Sequence, residues 1–347
     1  MKHIIVLRFS AMGDVLMTVP VIDAFARQYP DVRVTVCSRA WARPVFALLP
    51  SNVNFIVADL KGAHKGWKGL NALYRKLLAL QASAVADLHD VLRTKWLRTR
   101  FNMAGLQVQH IRKDRRARKA FINATEKTLQ RSVFEKYADV FRRLGYTDFQ
   151  VQFRSLFPEG GADLGAALPH FDLNQRPEKN WVAIAPFATH EGKIYPLEQM
   201  EKVVAQLAAR GDVRIFLFGA GERERAVTEA WAARYPHTES MAGTLGGLAE
   251  EAALISHCQV MLAMDSANMH LASLAGTPVV SIWGATHPFG GFLGWGQQMQ
   301  DAIQRPDLTC RPCSVYGNKP CQFGDYRCLQ GINPETVLQR IELKTVN

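Results

Sequence analysis

"HIIVLRFSAMGDVLMTVPVIDAFARQY" (His3–Tyr29) passes from a short apolar, β-branched run, through a turn of small residues, into a stretch with helical periodicity. An apolar run without polar alternation suits a strand buried on both faces, and such strands belong to parallel sheets covered by helices. The pattern continues through "VRVTVCS", "VNFIVAD" and "ASAVADLH", with helical stretches between them, one of them predicted around "WARPVFALLP". It recurs with "WVAIAPF", the helix "PLEQMEKVVAQLAARG", "VRIFLFGA", "CQVMLAMD", the helix "SANMHLASLAG" and "PVVSIWG". Two doubly wound α/β lobes, Rossmann-like and facing a central cleft, are therefore expected. Between them "FPEGGADLGAALPHFDLNQRPEKN" has the Pro, Gly and polar content of a hinge. The boundary falls at about residues 158 to 180, giving domains of residues 1–165 and 166–347. A last helix is predicted in "NPETVLQRIELK", with Asn333 as its cap and Pro334 at its first position.

The chain has 347 residues, 48% of them hydrophobic and 21% charged, which gives room for two cores and excludes a disordered protein. No apolar run approaches the roughly 18 to 20 residues of a membrane span, and "IIVL" is too short for a signal-peptide core, so a cytoplasmic location is expected. The net charge of +11 is unevenly distributed. Residues 1–165 hold 27 Lys+Arg against 13 Asp+Glu, whereas residues 166–347 hold 15 against 18. A basic surface attracts nucleic acid, anionic lipid headgroups or phosphorylated substrates, and composition alone does not separate them. Nothing in the sequence reads as a nucleic-acid module or an aromatic-interleaved basic strand.

Ligands of doubly wound sheets bind beyond the carboxyl ends of the strands, so the loops there carry the chemistry. "RFSAMGDVL" (residues 8–16) has one glycine where a dinucleotide fingerprint has three, which argues against a nicotinamide or flavin cofactor. It places Asp14 at the start of a helix, where a carboxylate stays ionised and can either cap the helix or accept a proton. In "APFATHEGKIYP" a small-residue turn carries Thr189 and then Lys193, whose ammonium can neutralise a phosphate. "MLAMDSANMHLASLAGTP" puts Asp265 at a strand end, with Ser266, Ala267 and Asn268 in the first turn of a helix. The free N–H groups of that turn suit an anion, and His270 stands four residues beyond Ser266 on the same face.

Taken together, "RxSxxGD", the lysine loop, "DS" followed by "MHLA", "GTPVV" and "WGATHP" make the chain resemble the heptosyltransferases of glycosyltransferase family 9, which act in bacterial lipopolysaccharide synthesis. The likeness is most specific over residues 261–288 and loosest over residues 40–160. It implies a GT-B fold, with an acceptor site in the first lobe and a nucleotide-sugar donor site in the second. It makes Asp14 the general base and places Thr189 and Lys193 on the diphosphate. Asp265, Ser266, Ala267 and His270 surround the phosphates and sugar, and Glu222 of "FGAGERE" lies near the ribose. Gly13, Arg93 and Arg98 become candidates for the acceptor side. The sequence departs from the family at Ala267, where glycine is usual, at Ala285 within a usual "GPT", and at Tyr195, where tryptophan is usual.

The implied reaction is inverting, metal-independent transfer of heptose from ADP-heptose to the lipopolysaccharide inner core, either Kdo-lipid A or a heptosyl acceptor. No cofactor is implied beyond the donor, and no DxD motif is present. The basic stretches "LRTKWLRTR" and "HIRKDRRARK" are expected in the acceptor lobe, facing an anionic core at the cytoplasmic face of the inner membrane. The alternatives are another nucleotide-sugar transferase or epimerase of the same fold, or a basic nucleic-acid-binding protein. Cys310, Cys313, Cys321 and Cys328 include a single CxxC, which makes structural zinc possible but a set of reduced, packed thiols the favoured reading.

Overall fold

The computed structural model describes residues 2–169 and 180–345. Contacts divide it into two compact units, Met1–Asp114 with Arg131–Arg154, and Arg115–Gln130 with Ser155–Asn347. Residues 170–179 of the expected hinge lie outside the described residues.

The first unit is built on β1 (His3–Leu7), α1 (Met12–Leu16), α2 (Val19–Gln28), β2 (Arg33–Ser38), α3 (Arg43–Phe46), β3 (Val53–Val57), α4 (Gly66–Leu78), β4 (Ala84–Asp87), α5 (Leu92–Met103) and β5 (Gln107–His110). The five strands are parallel, in the order β3-β2-β1-β4-β5. Ile4 of β1 is level with Val34 on one side and Ala84 on the other. All five residues of β1 are buried, as its apolar run requires. Pro44 confines the helix of "WARPVFALLP" to a short α3 after a single 3-10 turn, where a longer helix was expected.

Next come α6 (Arg115–Asn123), α7 (Val133–Arg143) and α8 (Leu164–Ala167). The second unit continues with β6 (Asn180–Ala185), α9 (Leu197–Ala209), β7 (Val213–Leu217), α10 (Gly221–Arg234), β8 (Thr238–Ser240), α11 (Leu248–Ile255) and β9 (Val260–Met264). It ends with α12 (Ala267–Ala275), β10 (Val279–Ile282), β11 (Ala302–Ile303), α13 (Arg327–Gln330) and α14 (Pro334–Thr345). Its six parallel strands run β11-β10-β9-β6-β7-β8. Asn333 caps α14 by accepting the Glu335 N–H at 3.1 Å, with Pro334 in the first position as predicted.

Two features differ from the sequence expectation. Helix α6, which carries much of "HIRKDRRARK", belongs to the second unit: Phe121 packs edge-on against His287, and Arg118 donates to the Tyr316 hydroxyl at 2.8 Å. The second unit also begins at Ser155, before the expected boundary, because Leu156 N–H bonds the Leu274 carbonyl and draws the chain onto the second fold.

In each sheet the strand order reverses once, between β1 and β4 in the first and between β6 and β9 in the second. Ligands of open α/β sheets bind at such reversals. The loops carrying Asp14, Lys193 and Asp265 all emerge there.

Candidate functional sites

In the first unit the chain leaves β1 at Arg8 and turns into α1, where Asp14 lies in the first turn. Its Oδ2 accepts the Ala11 N–H at 3.3 Å and pairs with the Arg8 guanidinium at 2.7 Å. Arg8 also donates to the Leu88 carbonyl just beyond β4 at 2.7 Å, tying the two loops at the reversal together. The Tyr137 ring lies 5.8 Å from that guanidinium, and its hydroxyl donates to the Asp14 carbonyl at 3.2 Å. Asp14 is thus both a capping residue and a half-exposed, aimed carboxylate; its side chain is 21% accessible.

His89 accepts the Phe9 N–H at Nδ1. Burial first, and then the charges of Arg8, Lys113 and Arg93, push its pKa down to about 3, so it faces this loop as a neutral ring. Gly13 is half-buried within α1, and Arg93 is exposed at the start of α5. Arg98 is held by two carboxylates. Its guanidinium meets buried Asp87 at 3.1 Å and Asp90 at 3.0 Å, so it serves to hold the β4–α5 loop.

In the second unit Lys193 Nζ lies 2.8 Å from Asp265 Oδ2, at the end of β9. The Thr286 hydroxyl donates to the same oxygen at 2.8 Å. Ser266 is the N-cap of α12 but supplies no capping hydrogen bond, and its buried hydroxyl has no partner among the described residues. The first-turn N–H groups of α12, beginning at Ala267, therefore face this cluster without a side-chain cap. His270 lies within α12, buried.

The loop that delivers Lys193 is fixed from behind. Ala285 N–H bonds the Gly192 carbonyl at 2.7 Å, and a Cβ on Gly192 would come within 2.7 Å of the Ala285 side chain. Gly317 (φ +71°) lets the lysine stem pass, since a Cβ there would stand 2.9 Å from the stem carbons. Thr189 is exposed on the same loop and borders a cavity of about 680 Å³ that also touches Phe187, Tyr195, Arg223, Val227 and Tyr326. Glu222 is exposed at the start of α10, while Glu224 takes the capping contact from the Ala220 N–H at 2.7 Å. Glu222 is thus left outward-facing.

All six cysteines are free thiols. Among the described residues no group of three or more His, Cys, Asp or Glu is arranged to hold a metal ion. Cys310, Cys313, Cys321 and Cys328 form no such group in this structure. Cys328 is drawn into the apolar core beside Leu329 and Ile332, and burial raises its thiol to about 11. Cys310 and Cys313 instead flank a buried arginine, Arg311. Sequence reasoning missed Arg8, Tyr137, Thr286 and Arg311. The first had a signal, a lone arginine closing an apolar strand; the others meet their partners only through the fold.

The family model for glycosyltransferase family 9 (heptosyltransferase) matches residues 70–322. Lipopolysaccharide heptosyltransferase 3 of Escherichia coli is 26% identical over 284 residues, covering 79% of this chain and 81% of that protein. Lipopolysaccharide heptosyltransferase 1 of Pseudomonas aeruginosa is 25% identical and covers 98% of this chain and 97% of its own length. Among solved structures, the family 9 glycosyl transferase of Veillonella parvula superposes with a TM-score of 0.75 at 19% identity, covering 99% of this chain and 97% of that one. The E. coli ADP-heptose heptosyltransferase II superposes with 0.71 at 19% identity, covering 100% and 99%.

Proposed function

Because this chain belongs to glycosyltransferase family 9, the heptosyltransferase family, we propose that it transfers a heptose from ADP-heptose to the lipopolysaccharide inner core with inversion at the anomeric carbon. The observation that carries the donor side is the convergence of Lys193, Thr286 and the uncapped start of α12 on Asp265. An ammonium has three donors, so Lys193 can hold Asp265 and still offer N–H groups to a diphosphate. Backbone N–H groups at a helix start complement the same anion. Thr189 and Ser266 add hydroxyls, and His270 lies one turn further along.

In this reading Asp14 accepts the proton of the acceptor hydroxyl as its oxygen attacks the anomeric carbon. Arg8 holds the carboxylate in one orientation. The bond to the departing ADP breaks on the opposite face, and its growing negative charge falls to Lys193 and the α12 N–H groups. The acceptor is a phosphorylated, acidic glycolipid, and the basic first unit suits it. The chain works at the membrane surface in this reading; no helix of the described residues is long and apolar enough to cross a membrane.

Calorimetry of ADP-heptose, ADP and UDP-sugars on the wild type and on Lys193→Ala tests the donor assignment. ADP-heptose and ADP should bind the wild type, and the substitution should weaken both by roughly tenfold or more, the scale of a lost charge-assisted contact. Binding of UDP-sugars in preference to ADP-sugars would redirect the donor. Absence of sugar-nucleotide binding would sink the reading.

A further inference from the structure

Arg311 is 2% exposed. A guanidinium buried so deeply must have acceptors for its N–H groups, since an uncompensated charge away from water is costly. Its Nε donates to the Gly284 carbonyl at 2.8 Å, and Nη2 to the carbonyls of Trp283 at 3.2 Å and Thr286 at 2.7 Å. Nη1 donates to Gln304 Oε1 at 2.6 Å and to the Arg305 carbonyl at 3.2 Å. The remaining carbonyl of the run, Ala285, accepts the Cys313 N–H at 2.8 Å. Four successive carbonyls, 283 to 286, are thus fastened by Arg311 and Cys313. No carboxylate among the described residues pairs with this arginine.

The fastened run carries one partner of Asp265 and anchors the loop of the other. Thr286 donates to it directly, and Ala285 N–H holds the carbonyl of Gly192, the residue before Lys193. Charge adds a second consequence. Lys193 and Asp265 cancel in charge in the free protein, so a diphosphate approaching that pair meets donors but no net charge. Arg311, bonded to the Thr286 carbonyl, supplies a positive charge whose direct partners are all neutral oxygens, with Asp307 acting on it without a direct ion pair, in surroundings where charges interact strongly. Its influence is visible at His287, held down to about 4 by burial first and then by the charges of Arg311 and Lys127.

We infer that Arg311 is a positioning residue for the diphosphate site: without touching the ligand, it fixes Thr286 and the Lys193 loop and leaves the pocket net positive. This rests on the donor-site reading above. In the "CRPC" segment the two cysteines flank this arginine.

The test measures ADP and adenosine affinity by calorimetry for the wild type, Arg311→Gln and Arg311→Lys, with thermal unfolding alongside. Arg311→Gln should weaken ADP by roughly tenfold while leaving adenosine within about twofold, because only the diphosphate feels the lost charge and the loosened loop. Arg311→Lys keeps the charge but not the fork of donors, and should lose less. Combined with Thr286→Val, the loss for Arg311→Lys should fall short of the product of the single losses, because both act through one segment. Unchanged ADP affinity in folded Arg311→Gln would overturn the inference, as would an equal fall for ADP and adenosine, which marks a general packing role. Should Arg311→Gln not fold, wild-type ADP affinity in Arg311→Lys, or full multiplicativity with Thr286→Val, would overturn it. A wild type that binds no ADP would remove the donor-site reading itself, and this inference with it.

Discussion

At Asp14 the carboxylate is held from one side: Arg8 and the Ala11 N–H both meet Oδ2. A carboxylate held this way is oriented without being enclosed, since about a fifth of the side chain stays accessible. Asparagine keeps the shape and can still contact Ala11, but it cannot take a proton. Asp14→Asn should therefore lower turnover by about 10² to 10⁴, the range typical of a positioned base, with ADP-heptose affinity unchanged. Single-turnover kinetics alongside calorimetry checks both halves. Near-normal turnover would leave Asp14 as a helix cap and nothing more. That Asp14 and Lys193 sit on loops just beyond strand ends was legible in the sequence, because each follows a strand through a turn of small residues. Arg311 was not, because its value lies in carbonyls 25 to 28 residues away in the chain that only the closed sheet brings to it.

Helix α12 begins without a side-chain cap at one end and stops at Gly276, whose φ of +81° is the left-handed conformation common at helix ends. A Cβ on Gly276 would lie 3.1 Å from the Ser155 hydroxyl, tighter than ordinary contact. Gly276→Ala combines this crowding with the cost of a left-handed alanine and should destabilise the protein by about 1–2 kcal/mol. Urea unfolding of wild type and variant measures it; equal midpoints would show that the helix end relaxes freely. The strands were the most legible elements, because a parallel strand buried on both faces leaves a run of β-branched residues that few other structures tolerate. Helix α6 was the least so. Its basic residues suggested the acceptor lobe, yet the decisive contacts are the packing of Phe121 on His287 and the bond from Arg118 to Tyr316, which charge counting does not reveal. The order of strands was legible only as a class, since alternation of strand and helix does not say where the order reverses.

The transfer of α6 to the second unit sharpens the charge division of the molecule. The first unit keeps 22 Lys+Arg against 10 Asp+Glu, and the second has 20 against 21. Within the first unit, α5 has a stripe at helical spacing, exposed Leu92, Arg100 and Met103 with partly buried Trp96 among them, Leu92 75% and Met103 79% accessible. Trp67 of α4, 65% accessible, continues it through its ring contact with Trp96 at 6.0 Å. Neither helix contains an acidic residue, and Lys65, Lys68, Arg75, Lys76 and Arg93 lie along or beside them. Apolar and indole side chains framed by basic ones match an anionic bilayer surface, where tryptophan favours the interface and each basic residue adds about 1 kcal/mol of attraction. An enzyme acting on a lipid-anchored core gains from such a face, because it meets its acceptor on the membrane and not in bulk water. Wild type should therefore sediment with phosphatidylglycerol vesicles and not with phosphatidylcholine vesicles, and raised salt should weaken the association. Trp67→Ser combined with Leu92→Ser should reduce the partition coefficient by roughly tenfold, since both remove apolar surface from the contact. A water-soluble acceptor fragment should be turned over by that variant at the wild-type rate. Equal partitioning of the two proteins, or equal binding to both lipids, would remove α4 and α5 as the contact and leave the charge of the first unit to the acceptor alone.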